Sequence, residues 1–218
     1  DVGSADGLER IARALQELPQ VGGVIHCAGV LDDGMIDGLA PSRFAAVMKP
    51  KADAAWRLHH MLQAQAQTPD FFVLYSSMST VFGSPGQSNY VAANAFLDAF
   101  SAWRTAQGLP TLSIGWGAWS ETGMAARGGA VTRAASRGLG GISNSQGLDV
   151  LGTLIRTAAS GAIAVAPIDW KVVASTMGDA PPSPLFADLL AAASQIKAAG
   201  TGAGVGEPAT ASLRERLR

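Results

Sequence analysis

The passage from residue 71 to residue 105 admits few folds. Phe71-Phe72-Val73-Leu74-Tyr75 is a short apolar run bounded by polar residues, which predicts a buried strand. Residues 83–89, Gly-Ser-Pro-Gly-Gln-Ser-Asn, cannot continue that strand and read as a loop. Beyond them Tyr90, Ala93, Asn94, Leu97 and Phe100 recur at helical spacing, predicting a helix over about residues 88–105. In an open α/β sheet, ligands bind where the strands end, so Ser76 and Ser77 stand at the functional edge.

Tyr90 and Asn94 are four apart and project from one helix face. A strand-end hydroxyl, a helix-borne phenol and a carboxamide can therefore converge on one small volume. That set suits the reduction of a carbonyl, whose oxygen needs a proton donor and fixed hydrogen bonds as hydride arrives. A phenol titrating near ~10 is a weak acid at neutral pH unless a cation eases its ionisation. Lys51 is the candidate cation. Alternation along an extended segment sends the hydroxyls of Ser76 and Ser77 to opposite faces, so one of the two points inward.

The remaining chain repeats the strand and helix alternation. Residues 4–18 carry Leu8, Ile11, Leu15 and Leu18 at helical spacing, with Ser4 as N-cap and Pro19 as stop. Residues 21–27 read as a strand leading into His26-Cys27-Ala28-Gly29. Residues 41–67 are helical in pattern, with Pro41 tolerated in the first turn and Pro50 expected to kink or divide the helix. A strand is expected at 111–116, a helix at 146–158, a strand at 162–166, a short helix from Asp169-Trp170 and a closing helix at 182–193. Residues 120–141 have the composition of a mobile lid, and Arg127, Arg133 and Arg137 there read as a solvated face or a docking patch. Residues 198–210 are rich in Ala, Gly and Thr and read as a flexible linker.

Taken together, Ser77, Tyr90-x-x-x-Asn94 thirteen positions on, and Lys51 upstream in Lys-x-x-x-Ala-Trp closely resemble the ketoreductase domain of modular polyketide synthases. That domain is a branch of the short-chain dehydrogenase/reductases. Most members of the superfamily have Tyr-x-x-x-Lys; in the polyketide branch lysine and asparagine exchange places, as they do here. The resemblance implies a Rossmann-like doubly wound parallel sheet, with the ketoreductase domain over residues 1–197 and a linker toward an acyl carrier domain over 198–218.

It further implies NADPH-dependent reduction of a β-ketoacyl thioester held on the phosphopantetheine arm of an acyl carrier protein, with other synthase domains as partners. In that reading Tyr90 donates the proton, Ser77 holds the ketone oxygen, Lys51 lowers the phenol's pKa and binds ribose, and Asn94 positions Lys51 or a water. The thirteen-residue spacing selects Ser77 over Ser76. Asp1, Val2, Ala28, Gly29, Lys51, Tyr90, Trp116 and Gly117 would face the cofactor; Trp116 reads equally as the cap of a core strand. Leu31, Asp32, Asp33, Gln87 and Met124 would face the substrate. Leu31-Asp32-Asp33 alone reads as a solvated acidic loop, but the resemblance makes it the signature of a D-configured β-hydroxyl product. Phe82, standing where the opposite class has tryptophan, agrees.

Two other functions fit the same residues: a short-chain dehydrogenase acting on a free ketone or alcohol, and a non-catalytic reductase-like module bracing a synthase. No Gly-x-Gly-x-x-Gly stands between a strand and a helix, so the amino-terminal part of the nucleotide-binding domain is expected to lie outside these 218 residues. A formal charge of −1 and a pI near 6.3 offer no basic stripe for nucleic acid. With 48% apolar and 15% charged residues the chain reads as globular. No long apolar span or leader is evident, and the cytoplasm is expected. Cys27, the single cysteine, reads as a buried packing group, and His26 as a core histidine.

Overall fold

A computed structural model describes residues 2–18, 20–127, 129–176 and 183–192. These fall into two compact units, one within residues 1–168 and one within residues 169–218. The first is an α/β sandwich around four parallel strands: β1 (Gly23–His26), β2 (Phe71–Ser77), β3 (Leu112–Trp116) and β4 (Gly161–Val165), in the order β1-β2-β3-β4. Register runs from Gly23 opposite Phe71 to Ser77 opposite Trp116 and Trp116 opposite Val165, which brings the strand ends to one edge.

Strand alternation sorts the core into two layers. Phe72 and Leu74 pack with Leu58 and Leu62 of α3 (Ala54–Ala64) and with Leu97 and Phe100 of α5 (Ser88–Ala106). α1 (Ala5–Gln16) adds Leu8 and Leu15 to the same layer, and Ser4 caps it by accepting from Gly7 N at 3.0 Å. On the other face Val73, Ile114 and Trp116 pack with Leu151 of α8 (Asn144–Arg156). Its helix starts in a capping box, Ser143 with Gln146, two residues before the expected start.

Two features go beyond the sequence expectation. Pro50 divides its helix as expected, but by a π-helical turn and not by a break. α2 (Pro41–Met48) runs through a π-helical turn, Lys49–Asp53, directly into α3. The widened turn leaves room for a residue without an N–H, and it is the turn that carries Lys51. Secondly, a short helix α4 (Ser79–Phe82) intervenes between β2 and the loop ahead of α5.

The segment expected to be a lid contains α6 (Gly123–Arg127) and α7 (Ala130–Ala135). Its two roots are pinned. On one side Ser120 N donates to the Ile142 carbonyl at 2.9 Å and Ile142 N to Ala118 at 2.8 Å; on the other Gly140 N donates to the Pro167 carbonyl at 2.8 Å. Trp119 lies on Gly147 of α8, where a Cβ would come within 2.2 Å of its ring.

The second unit holds α9 (Trp170–Thr176), begun by Asp169 Oδ1 accepting from Lys171 N at 2.9 Å, and a 3₁₀ turn, Pro184–Phe186, continuing helically through residue 192. The expected linker lies outside the described residues. Among the described residues no helix is long and apolar enough to cross a membrane.

Candidate active site

Four side chains from three elements meet at the carboxyl edge of β2. Lys51, 3% exposed, projects from the π-helical turn and donates from Nζ to the Tyr75 carbonyl at 2.8 Å. The same ammonium lies 5.4 Å from the centre of the Tyr90 ring. Its stem packs on backbone: a Cβ at Gly29 would stand 3.0 Å from Lys51 Cε, and 3.8 Å from Cε of Met124 in α6. Burial lowers the Lys51 pKa to about 8, opposed by the nearby Cys27 and Asp98.

The strand alternation resolves the two serines. Ser76 is buried and donates to the Asn94 carbonyl at 3.3 Å, so it joins β2 to α5. Ser77 Oγ accepts from Ser79 N at 3.1 Å at the head of α4. One acceptor position of Ser77 is thereby used, which leaves its single O–H proton to be donated outward, toward Tyr90.

Tyr90 sits in the first turn of α5, where the positive end of the helix dipole favours a developing phenolate by about 0.3–1 kcal/mol. Burial nevertheless raises its pKa; hydrogen bonds from Asn94 and Ser77 pull it back, and the Asp33 charge raises it further. The Lys51 ammonium, hydrogen-bonded to Tyr75, adds its charge at 5.4 Å from the ring centre. Asn94 is fully buried, with Nδ2 donating to the Tyr90 carbonyl at 2.8 Å and Oδ1 lacking a partner among the described residues.

The acidic loop is close by. Asp32 is ion-paired to Arg43 at 2.5 Å, and Gln87 Nε2 donates to both oxygens of Asp33 at 3.1 and 3.0 Å. Leu31 is exposed beside them. Arg43 and Asn89 were not flagged by the sequence reading; only the capacity of a residue just ahead of Tyr90 to bond two elements at once could have pointed to Asn89.

Other residues expected at the site also have structural contacts. Trp116 is 5% exposed and packs among Ile142, Tyr75 and Trp119, as a core strand residue. Gly117 lies against the residue that follows β4: a Cβ there would come within 2.9 Å of Ala166. Val2 packs against the first core layer, and Asp1 lies outside the described residues. Cys27 is exposed instead of buried, because it is the first residue beyond β1; His26 is buried, with Nε2 3.3 Å from the Lys51 carbonyl.

Residues 1–121 match the family model of the KR domain. The polyketide synthase GfsA of Streptomyces halstedii is 47% identical over 123 residues, which is 56% of this chain and 2% of that protein. A phenolphthiocerol synthesis polyketide synthase of Mycobacterium marinum is 44% identical over 146 residues, 66% of this chain and 7% of the relative. Among solved structures, an A-type ketoreductase of a modular polyketide synthase superposes with a TM-score of 0.78 at 33% identity, covering 88% of this chain and 41% of that one. The first ketoreductase of the tylosin synthase gives 0.76 at 35% identity, covering 89% and 41%. The chain thus spans a few per cent of these curated relatives and less than half of the solved ketoreductases.

Proposed function

Because this chain belongs to the ketoreductase (KR) domain family of polyketide synthases, we propose that it is the catalytic part of a β-ketoacyl reductase acting within such a synthase. The substrate is a β-ketoacyl thioester carried on the phosphopantetheine arm of an acyl carrier domain, and the product is the D-configured β-hydroxyacyl thioester. The observation that carries the reading is the meeting of Lys51, Ser77, Tyr90 and Asn94 around one point at the sheet edge.

The residues present fit the nicotinamide and ribose end of NADPH. The Ala28-Gly29 backbone lies against Lys51, a Cβ at Gly29 standing 3.0 Å from Cε and 3.6 Å from Nζ, so it would flank the ammonium that holds the ribose; Asn94 Oδ1 is buried with no hydrogen-bond partner among the described residues. When bound, the cofactor supplies the hydride. Ser77 donates to the ketone oxygen and fixes its position. Tyr90 gives up its proton to that oxygen as the alcohol forms. Lys51, held by Tyr75, keeps a positive charge beside the ring that becomes a phenolate, and Asn94 holds the first turn of α5 through the Tyr90 carbonyl. The D-configuration rests on Leu31-Asp32-Asp33 and on Phe82 in place of tryptophan.

Tyr90→Phe in the intact synthase lowers turnover by about 10²–10⁴-fold with folding unchanged, the range expected for losing a general acid. The test follows reduction of carrier-bound and free β-ketoacyl thioesters with NADPH, with products resolved by chiral chromatography. Near-normal turnover by the variant removes Tyr90 from its role. An L-configured alcohol overturns the stereochemical part, and a preference for free substrate overturns the carrier.

A further inference from the structure

The acidic loop is held in register with Tyr90 by two residues outside the catalytic set. Arg43, on α2, places Nε and Nη2 on Asp32 Oδ1 at 2.8 and 2.5 Å and donates from Nη2 to the Asp33 carbonyl at 2.7 Å. Such a planar fork fixes both position and orientation, which a point charge cannot. Asn89, fully buried, supplies the second hold: Nδ2 donates to the Asp32 carbonyl at 2.8 Å and Oδ1 accepts from Tyr90 N at 2.8 Å.

The second bond is informative about α5. Its N-cap, Gln87, makes no side-chain cap bond, so the N–H of Tyr90 belongs to the first turn that has no partner within the helix. Asn89 satisfies that N–H with one end of its carboxamide and reaches the acidic loop with the other. Gly34 N donating to Gly86 at 2.8 Å closes the same junction from below. The acidic loop is thus tied through Asn89 to the backbone of Tyr90 itself.

We infer that Arg43 and Asn89 are positioning residues, which fix the Leu31-Asp32-Asp33 wall relative to the Tyr90 phenol and so determine how a ketone is presented to the hydride donor. The inference rests on the reductase reading above. Loss of either hold lets the wall shift while leaving Tyr90, Ser77 and Lys51 in place. The effect falls on substrate binding and on the choice of face, and much less on the chemical step.

The intact synthase is the protein to test, with NADPH and a carrier-bound β-ketoacyl thioester. Arg43→Gln raises KM about tenfold and erodes the ratio of major to minor alcohol about tenfold, the scale of one charge-assisted hydrogen bond, with kcat changed by less than about threefold. Arg43→Lys keeps the charge without the fork and falls between wild type and Arg43→Gln. Asn89→Asp retains the acceptor for Tyr90 N, loses the donor to Asp32, and gives the same pattern as Arg43→Gln. Thermal midpoints are read alongside, so that an unfolded Arg43→Gln leaves Arg43→Lys and Asn89→Asp to decide. Variants with wild-type KM and wild-type product ratio, or a loss of kcat alone, overturn the inference while the reductase reading stands. A wild-type synthase that reduces no ketone at this domain sinks the reading and the inference together.

Discussion

Lys51 carries two opposite pH dependences. Burial places its ammonium at about 8 in the fold, below the ordinary lysine value of 10.5. Between those two values the unfolded chain binds a proton that the native chain does not, so this group's contribution to stability increases with pH across that window. Its contribution to catalysis goes the other way, because the charge beside Tyr90 is present below about 8 and absent above it. We expect kcat/KM, which reports the free enzyme, to fall with an apparent pKa near 8 while the melting midpoint does not fall with it. Lys51→Arg, charged throughout, moves that falling limb upward even where it lowers the plateau. A limb unmoved by this substitution belongs to another group. At this scale the sequence was most legible where alternation decides an orientation: Ser76 turns into the core and Ser77 toward Tyr90. It was silent on Arg43, whose partner Asp32 is eleven residues away. Trp116 kept two readings because a tryptophan at a strand end caps a core and lines a pocket equally well until its neighbours are known.

Elements show what the periodic pattern can and cannot contain. Apolar spacing located α1, α5 and α8 to within a few residues, because each buries one face. It could not announce the π-helical turn, since a single wide turn leaves the apolar pattern on either side almost unchanged; only Pro50 marked the place. Nor could it show the contact between Trp119 and Gly147, which joins the residue ahead of segment 120–141 to α8. There, one added methyl group has no room unless the indole moves. Gly147→Ala therefore costs about 1–3 kcal/mol of stability as an overpacked site. For a chain of this size each kcal/mol lowers the melting midpoint by roughly 2–4 °C, which calorimetry resolves. Trp119→Phe in the same background removes the outer ring and restores part of the loss. Equal melting of Gly147→Ala and wild type would mean that the indole leaves this position freely.

The whole sheet is unevenly covered, and that bears on cofactor binding. Parallel strands are ordinarily covered on both faces. Among the described residues β1 has a hydrogen-bonded neighbour on one side only, and Ile25 at its centre is 45% exposed, while Val24 is packed into the first core layer. Among the described residues no glycine-rich turn links a strand to a helix, the arrangement by which backbone amides hold a pyrophosphate. The solved ketoreductases that this chain resembles are more than twice its length, since it covers 41% of each. In the proposed site the nicotinamide end would lie beside Lys51 and Tyr90, and among the described residues nothing comparable stands ready for a diphosphate. Losing even two charge-assisted hydrogen bonds, each worth about 1.5–3 kcal/mol, weakens binding by a hundredfold or more at about 1.4 kcal/mol per factor of ten. NADPH fluorescence titration should accordingly show the 218-residue chain binding at least about a hundredfold more weakly than a solved ketoreductase of which this chain covers 41%. Matching affinities would put a diphosphate site inside these residues.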